Sequence, residues 1–81
     1  MSDTGWTFEE LLPNGWHPHW MPPERDDHPF VLEFTFYRSE VARCVLEASG
    51  STEHEARERA AALANAWLRE HPEYAPRRRH T

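Results

Sequence analysis

A glycine and two capping hydroxyls open a long alanine-rich helical pattern at residues 50–68, directly after two strand patterns. Thr52 as N-cap and Glu55 three positions later predict a capping box, and Gly50 ends the strand before it. The helix should pack on a sheet through one side, formed by Ala56, Ala60, Leu63, Ala64 and Trp67. An 81-residue chain built around this junction has room for one small domain.

Residues 30–37 and 41–48 alternate between two sides, which predicts an antiparallel hairpin with one covered face. The covered side should carry Phe30, Leu32, Phe34 and Phe36 from the first strand and Ala42, Cys44, Leu46 and Ala48 from the second. Val41 and Val45 should then face outward. Residues 16–21 contain a proline and are expected at a sheet edge, so the sheet has two or three strands.

Residues 6–11 carry a second helix start, with Thr7 as N-cap and Glu10 completing a capping box. Pro13 should end this helix after little more than a turn. The expected fold is α+β: a short N-terminal helix, a two- to three-stranded antiparallel sheet, and a long C-terminal helix packed on one face. Residues 6–72 form the expected domain, residues 1–5 an N-terminal tail, and residues 73–81 a flexible basic C-terminal tail.

Acidic residues dominate residues 1–55, where eleven of them face three arginines and give a net charge of −8. Residues 56–81 carry six arginines and three glutamates, a net charge of +3, so the whole chain stands at −5. An acidic body repels nucleic acids and anionic membranes at long range. The polar N-terminus holds no apolar run of signal-peptide or membrane-spanning length, and we expect a cytoplasmic protein without membrane contact.

The sequence carries no catalytic motif, and we expect a protein that is not an enzyme and binds no cofactor. The one cysteine, Cys44, lies in the core phase of its strand, which favours a packed thiol over a nucleophile. Three glycines and four serines form neither a phosphate-binding loop nor a nucleophile elbow. His17 and His19 project to the same side of a strand, so together with His28 they are a candidate metal site; the alternative is exposed histidines.

The order of helix, three strands and helix resembles the double-stranded RNA-binding domain. The resemblance rests on a short first helix, on His-Pro-Phe at residues 28–30 and on Gly-Ser-Thr at the last helix, and it covers most of residues 7–69. It implies RNA binding through a basic cluster at the start of that helix. This chain has Glu53 and Glu55 there, and carboxylates oppose a phosphate. The cations left for nucleic-acid binding, as an alternative function, are Arg57, Arg59, Arg77, Arg78 and Arg79.

Two shorter patterns are similar to parts of small toxin–antitoxin domains. Residues 50–56, with their Gly-x-Thr turn and Glu-Ala pair, resemble the strand-to-helix turn of HicB-like antitoxins. Asn-Gly-Trp at residues 14–16 resembles the end of the first helix in HicA-type toxins. The second resemblance implies RNA cleavage by a strand histidine, and His28 lies near the comparable place.

Binding to a protein partner or to a second copy of the chain is the function we expect for this small module. Tryptophan is frequent at binding hot spots, and apolar residues on an outer sheet face would provide a contact surface. The alternative for the tryptophans is that they close one end of the core. The expected partner-binding residues are Trp16, Trp20, Met21, Tyr37, Val41 and Val45.

Overall fold

A three-stranded antiparallel sheet with helices on one side makes up the fold in the computed structural model, which describes residues 5–23 and 26–76. The elements are α1 (Phe8–Leu11), β1 (Trp16–Met21), β2 (Phe30–Arg38), β3 (Val41–Gly50) and α2 (Glu53–Glu70). Short 3-10 helices follow at Leu12–Asn14 and Pro72–Tyr74. The predicted α+β class is confirmed, and the sheet has three strands rather than two.

The start of α1 is the capping box that the sequence predicts. The Thr7 hydroxyl accepts a hydrogen bond from the Glu10 N–H at 3.1 Å, and the Glu10 carboxylate accepts one from the Thr7 N–H at 2.9 Å. Gly15 then turns the chain into β1 with a φ of 99°, a value that L side chains rarely adopt. Its carbonyl accepts a hydrogen bond from the Tyr37 N–H at 2.9 Å, which aligns β1 with β2.

The central strand is β2, which pairs with β1 on one side and with β3 on the other. Trp16 lies opposite Phe36 and Met21 opposite Val31, so β1 is the edge strand that its proline predicts. Phe30 lies opposite Gly50 at the far end of the hairpin. This register places the phenylalanines of β2 toward α2, as the alternation predicts.

A bulge near the hairpin turn changes the side of the first residues of β3. Ser39 and Glu40 have φ values of 56° and 65° and form a tight left-handed turn. The register shifts beyond Phe36, so that Tyr37 lies opposite Ala42 and Arg38 opposite Val41, with Arg43 as the extra residue. Directly paired residues share a face, and one inserted residue exchanges the faces of its neighbours. The prediction that Ala42 faces the core and Val41 faces outward is therefore wrong.

At the junction between β3 and α2, Thr52 caps the helix as predicted, but the Glu55 side chain bonds a different residue from the predicted one. The Thr52 hydroxyl accepts from the Glu55 N–H at 3.0 Å. The Glu55 carboxylate does not return to Thr52; it accepts from the backbone N–H of Ser51 at 2.7 Å and from its hydroxyl at 2.8 Å. These bonds, led by that backbone N–H and helped by Arg59 and His28, hold the pKa of Glu55 below its ordinary value.

The core lies between the sheet and α2, and α2 faces it through a slightly different stripe from the predicted one. The buried residues of α2 are Ala56, Ala60, Ala61, Ala64 and Leu68. Trp67 is half-buried, and Leu63, expected in the core, is 42% exposed. The stripe is turned because α2 also packs against the segment before α1, where the Asn65 amide bonds both the N–H and the carbonyl of Trp6 at 2.7 and 2.9 Å.

The packed domain continues beyond the predicted boundary at residue 72. The ring of Tyr74 stacks on Trp67 with centroids 5.5 Å apart and contacts Phe36 at 5.4 Å. The Arg38 guanidinium lies 4.9 Å from the centre of the Tyr74 ring. Tyr74, expected in the tail, is thus part of the aromatic cluster, while Arg77, Arg78 and Arg79 lie outside the described residues. Within the described ranges, no helix has the length and apolar character to cross a membrane.

Candidate interaction surface

The described helices all pack on one side of the sheet. The α1 side chain Phe8 stacks on Phe34 with centroids 5.1 Å apart, and the last 3-10 helix contacts Phe36 on the same side. We call the opposite side the open sheet face. It consists of His17, His19 and Met21 of β1, Val31, Glu33, Thr35 and Tyr37 of β2, and Ala42, Val45, Glu47 and Ser49 of β3.

The open sheet face exposes apolar side chains toward the hairpin end of the sheet. Val45 is 59% exposed and Tyr37 is 42% exposed, whereas Thr35, directly opposite Val45, and Val31 are buried. The His17 ring meets the Tyr37 ring edge-on, with centroids 5.3 Å apart. An aromatic and an aliphatic side chain are therefore presented by paired strands, whose backbone hydrogen bonds fix their positions.

Two glutamates lie side by side on the same face, and we call Glu33 and Glu47 the acidic row. Glu33 lies directly opposite His19 on one side and Glu47 on the other. Like charges directly opposite each other on neighbouring strands destabilise a sheet.

The six predicted partner-binding residues lie on different parts of the molecule. Met21, Tyr37 and Val45 lie on the open sheet face. Trp16 is 1% exposed and packs against Phe34 and Phe36 at 5.0 and 5.1 Å, so its prediction as a contact residue is wrong and the core alternative is confirmed. The Trp16 side chain faces inward because the residue lies directly opposite the buried Phe36, and directly paired residues share a face of the sheet.

Trp20 and Val41 are exposed but belong to the helix side of the sheet. Trp20 alternates with Trp16, and the Arg57 guanidinium lies 5.9 Å from its ring centre. Val41 lies opposite Arg38 because of the bulge. Neither adds to the open sheet face.

The two described arginines of the predicted nucleic-acid site are both paired with carboxylates. Arg57 bonds Glu53 at 3.2 Å, and Arg59 bonds Glu55 at 3.0 Å, each one helical turn apart on α2. Arg59 also donates to the Ser49 carbonyl at 2.9 Å. A phosphate would have to compete with these carboxylates for the same guanidinium groups.

The three candidate metal-binding histidines do not meet. His17 and His19 lie opposite Thr35 and Glu33 on the open sheet face, whereas His28 precedes β2 and lies 3.8 Å from Asp27. Among the residues that the structure describes, no three His, Cys, Asp or Glu side chains converge on a possible metal position. Cys44 is half-buried against the core, as its phase predicts, and burial raises the pKa of its thiol.

A groove that the sequence does not predict lies between α2 and the segment before α1. It has a volume of about 410 Å³ and is lined by residues that include Trp6, Phe8, Arg57 and Asn65. The signal for it is Asn65, because an asparagine inside a helix is unfavourable unless its side chain finds a specific partner. Here that partner is the backbone of Trp6, so Asn65 is explained by holding the N-terminal segment in place.

Comparisons of the chain with protein-family models, with curated proteins and with solved structures found no match.

Proposed function

We propose that this protein is a non-enzymatic interaction module that binds a partner protein through its open sheet face. The observation that carries the proposal is the exposure of Val45 and Tyr37 on the side of the sheet opposite the described helices. An antiparallel sheet that faces water on one side normally presents polar residues there. A patch of apolar residues with a polar rim is instead typical of an interface.

The charge of the chain indicates the chemistry of the partner. The acidic row on the open sheet face and the net charge of −5 favour a protein surface with an apolar centre and basic residues around it. Such a partner would cover Tyr37 and Val45 and place cations near Glu33 and Glu47. The same acidic row disfavours a nucleic acid on this face, and the pairing of Arg57 and Arg59 disfavours one on α2.

Two valines of β3 provide a matched test, since both are exposed and they lie on opposite sides of the sheet. Val45→Ser changes the open sheet face, and Val41→Ser makes the same change on the helix side. With each protein as bait in an extract of the native host, partners bound by the wild type should be lost with Val45→Ser and with Tyr37→Ser. They should be retained with Val41→Ser.

The expected loss is about 1–2 kcal/mol of binding free energy, the usual range for a contact residue near the centre of an interface. Unfolding curves should show that each variant stays folded, with a loss of stability of about 1 kcal/mol or less for the two valine substitutions. Equal recovery of every partner with Val45→Ser and Val41→Ser would show that the open sheet face is not the contact surface.

A further inference from the structure

Among the described residues, no strand pairs with the outer edge of β3, which we call its free edge, and some backbone groups of β3 point toward it. The Tyr37 N–H donates to the Gly15 carbonyl, so the backbone groups of Tyr37 and of every second residue of β2 point toward β1. The backbone groups of the other β2 residues point toward β3, where they bond Cys44, Leu46 and Ala48. Val45 and Glu47 consequently direct their N–H and C=O groups to the free edge, where they are available to another strand.

The two edges of the sheet differ in their suitability for pairing. On β1, Pro18 lies at a position whose nitrogen points to the free edge, so this edge lacks a donor at its middle. On β3, no proline interrupts residues 41–50, and the bulge at Arg43 lies toward the hairpin end of the strand, beyond Val45 and Glu47. The Arg59 guanidinium already occupies the Ser49 carbonyl, which limits the available edge of β3 to the residues before Ser49.

We propose that a second copy of this chain pairs with the free edge of β3, antiparallel and centred on Val45, to form a continuous six-stranded sheet. In such a two-fold pair, Arg43 and Glu47 are equally spaced on either side of Val45, so each Arg43 comes opposite Glu47 of the other copy. Arg43 is the bulged residue of β3, so this contact lies at the end of the regular ladder. Both side chains are exposed, and neither is in an ion pair within the described part of the chain. The edge is therefore complementary in charge to itself.

The surroundings of this edge favour the same arrangement. The second copy would extend the row His19–Glu33–Glu47 by an arginine and relieve the repulsion between the two carboxylates. On the helix side, a groove of about 360 Å³ beside the edge exposes Leu63, which a second copy would shield. The pairing would also join two open sheet faces into one larger surface, although it does not depend on the partner binding proposed above.

Charge reversal tests both the pairing and its register. Sedimentation equilibrium of the full chain should give twice the monomer mass of 9.6 kDa for the wild type. Arg43→Glu and Glu47→Arg should each weaken dimerisation by at least tenfold, about 1.4 kcal/mol, because like charges then face each other twice. An equimolar mixture of these two variants should form a heterodimer, because every facing pair in it is of opposite charge.

A Glu40→Arg variant at the hairpin tip, outside the paired segment, is the control for net charge and should remain dimeric. Circular dichroism confirms that each exposed substitution leaves the fold intact. A monomeric wild type at millimolar concentration would overturn the proposal, as would unchanged dimers of both charge-reversed variants or a mixture that stays monomeric. None of these outcomes depends on the extract experiment, so failure of the dimer and failure of partner binding are distinguishable.

Discussion

A methyl group at Gly50 is the sharpest perturbation of the junction between β3 and α2. A Cβ atom there would lie 2.9 Å from the backbone nitrogen of Ala56 and 2.9 Å from the Cβ of Glu55. Ordinary contacts between such atoms lie at about 3.5–4.0 Å, so the strand and the first turn of α2 would have to separate by roughly half an ångström or more. Ala56 is fully buried against the core and has no room to retreat.

The expected cost of Gly50→Ala is therefore about 1–3 kcal/mol, the usual range for an overpacked site. This is a large share of the roughly 4–12 kcal/mol expected for 81 residues at about 0.05–0.15 kcal/mol per residue. Urea unfolding followed by tryptophan fluorescence measures it, since the buried Trp16 reports on the core. With a slope of about 1 kcal/mol per molar urea, the midpoint should fall by about 1 M or more.

Gly5→Ala is the matched control for this substitution. A Cβ at Gly5 would approach the Asn65 side chain no closer than 3.3 Å, so no backbone is forced apart and a smaller change is expected. A Gly50→Ala protein with the midpoint and slope of the wild type would refute the close approach of strand and helix on which this reasoning rests.

Three further measurements test other parts of the structure. Because the pKa of Glu55 is lowered in the folded state, its contribution is complete above the ordinary carboxyl pKa of about 4.3 and is lost as the pH falls through the folded-state pKa. Glu55→Gln should thus lower the free energy of unfolding near neutral pH, and the gap between variant and wild type, measured by urea unfolding, should shrink in acid. A gap that does not change with pH would contradict this. Replacing Ser39 by Asn and Glu40 by Gly should stabilise the fold by about 1 kcal/mol, because both positions have positive φ, and an unchanged thermal midpoint would contradict it. Finally, Cys44 should react with a thiol reagent at least tenfold faster in denaturant than in the folded protein, because burial shields the thiol and raises its pKa; equal rates would show that the thiol is accessible.

The local signals in the sequence predict most of the fold because they act over a few residues. The hydroxyls of Thr7 and Thr52 cap the two helices as expected, and the alternation of β2 sets the core side of the sheet. Where the sequence fails for the hairpin, the cause is one that the alternation of polar and apolar residues does not show. A two-residue left-handed turn built from Ser39 and Glu40, without the usual glycine, shifts the register and leaves a bulge that alternation alone does not reveal.

The candidate surface could be predicted only in part, for the same reason. Tyr37 and Val45 follow the alternation of their strands and lie where it places them. From the sequence alone, Trp16 could lie in the core or form part of an exposed binding surface. The structure distinguishes the two, because Trp16 packs against aromatic residues of β2. Leu63 is exposed because α2 turns toward the segment held by Asn65, a contact between residues far apart in the chain.

Photo-crosslinking in living cells tests most directly whether the open sheet face is the contact surface. A benzophenone amino acid replaces Tyr37 in one protein and the exposed Ala66 on the outer side of α2 in a control protein. Irradiation in the native host should yield a discrete adduct from position 37 and none from position 66. If position 37 yields no adduct, or both positions yield the same adducts, the open sheet face is not where this protein meets its partner.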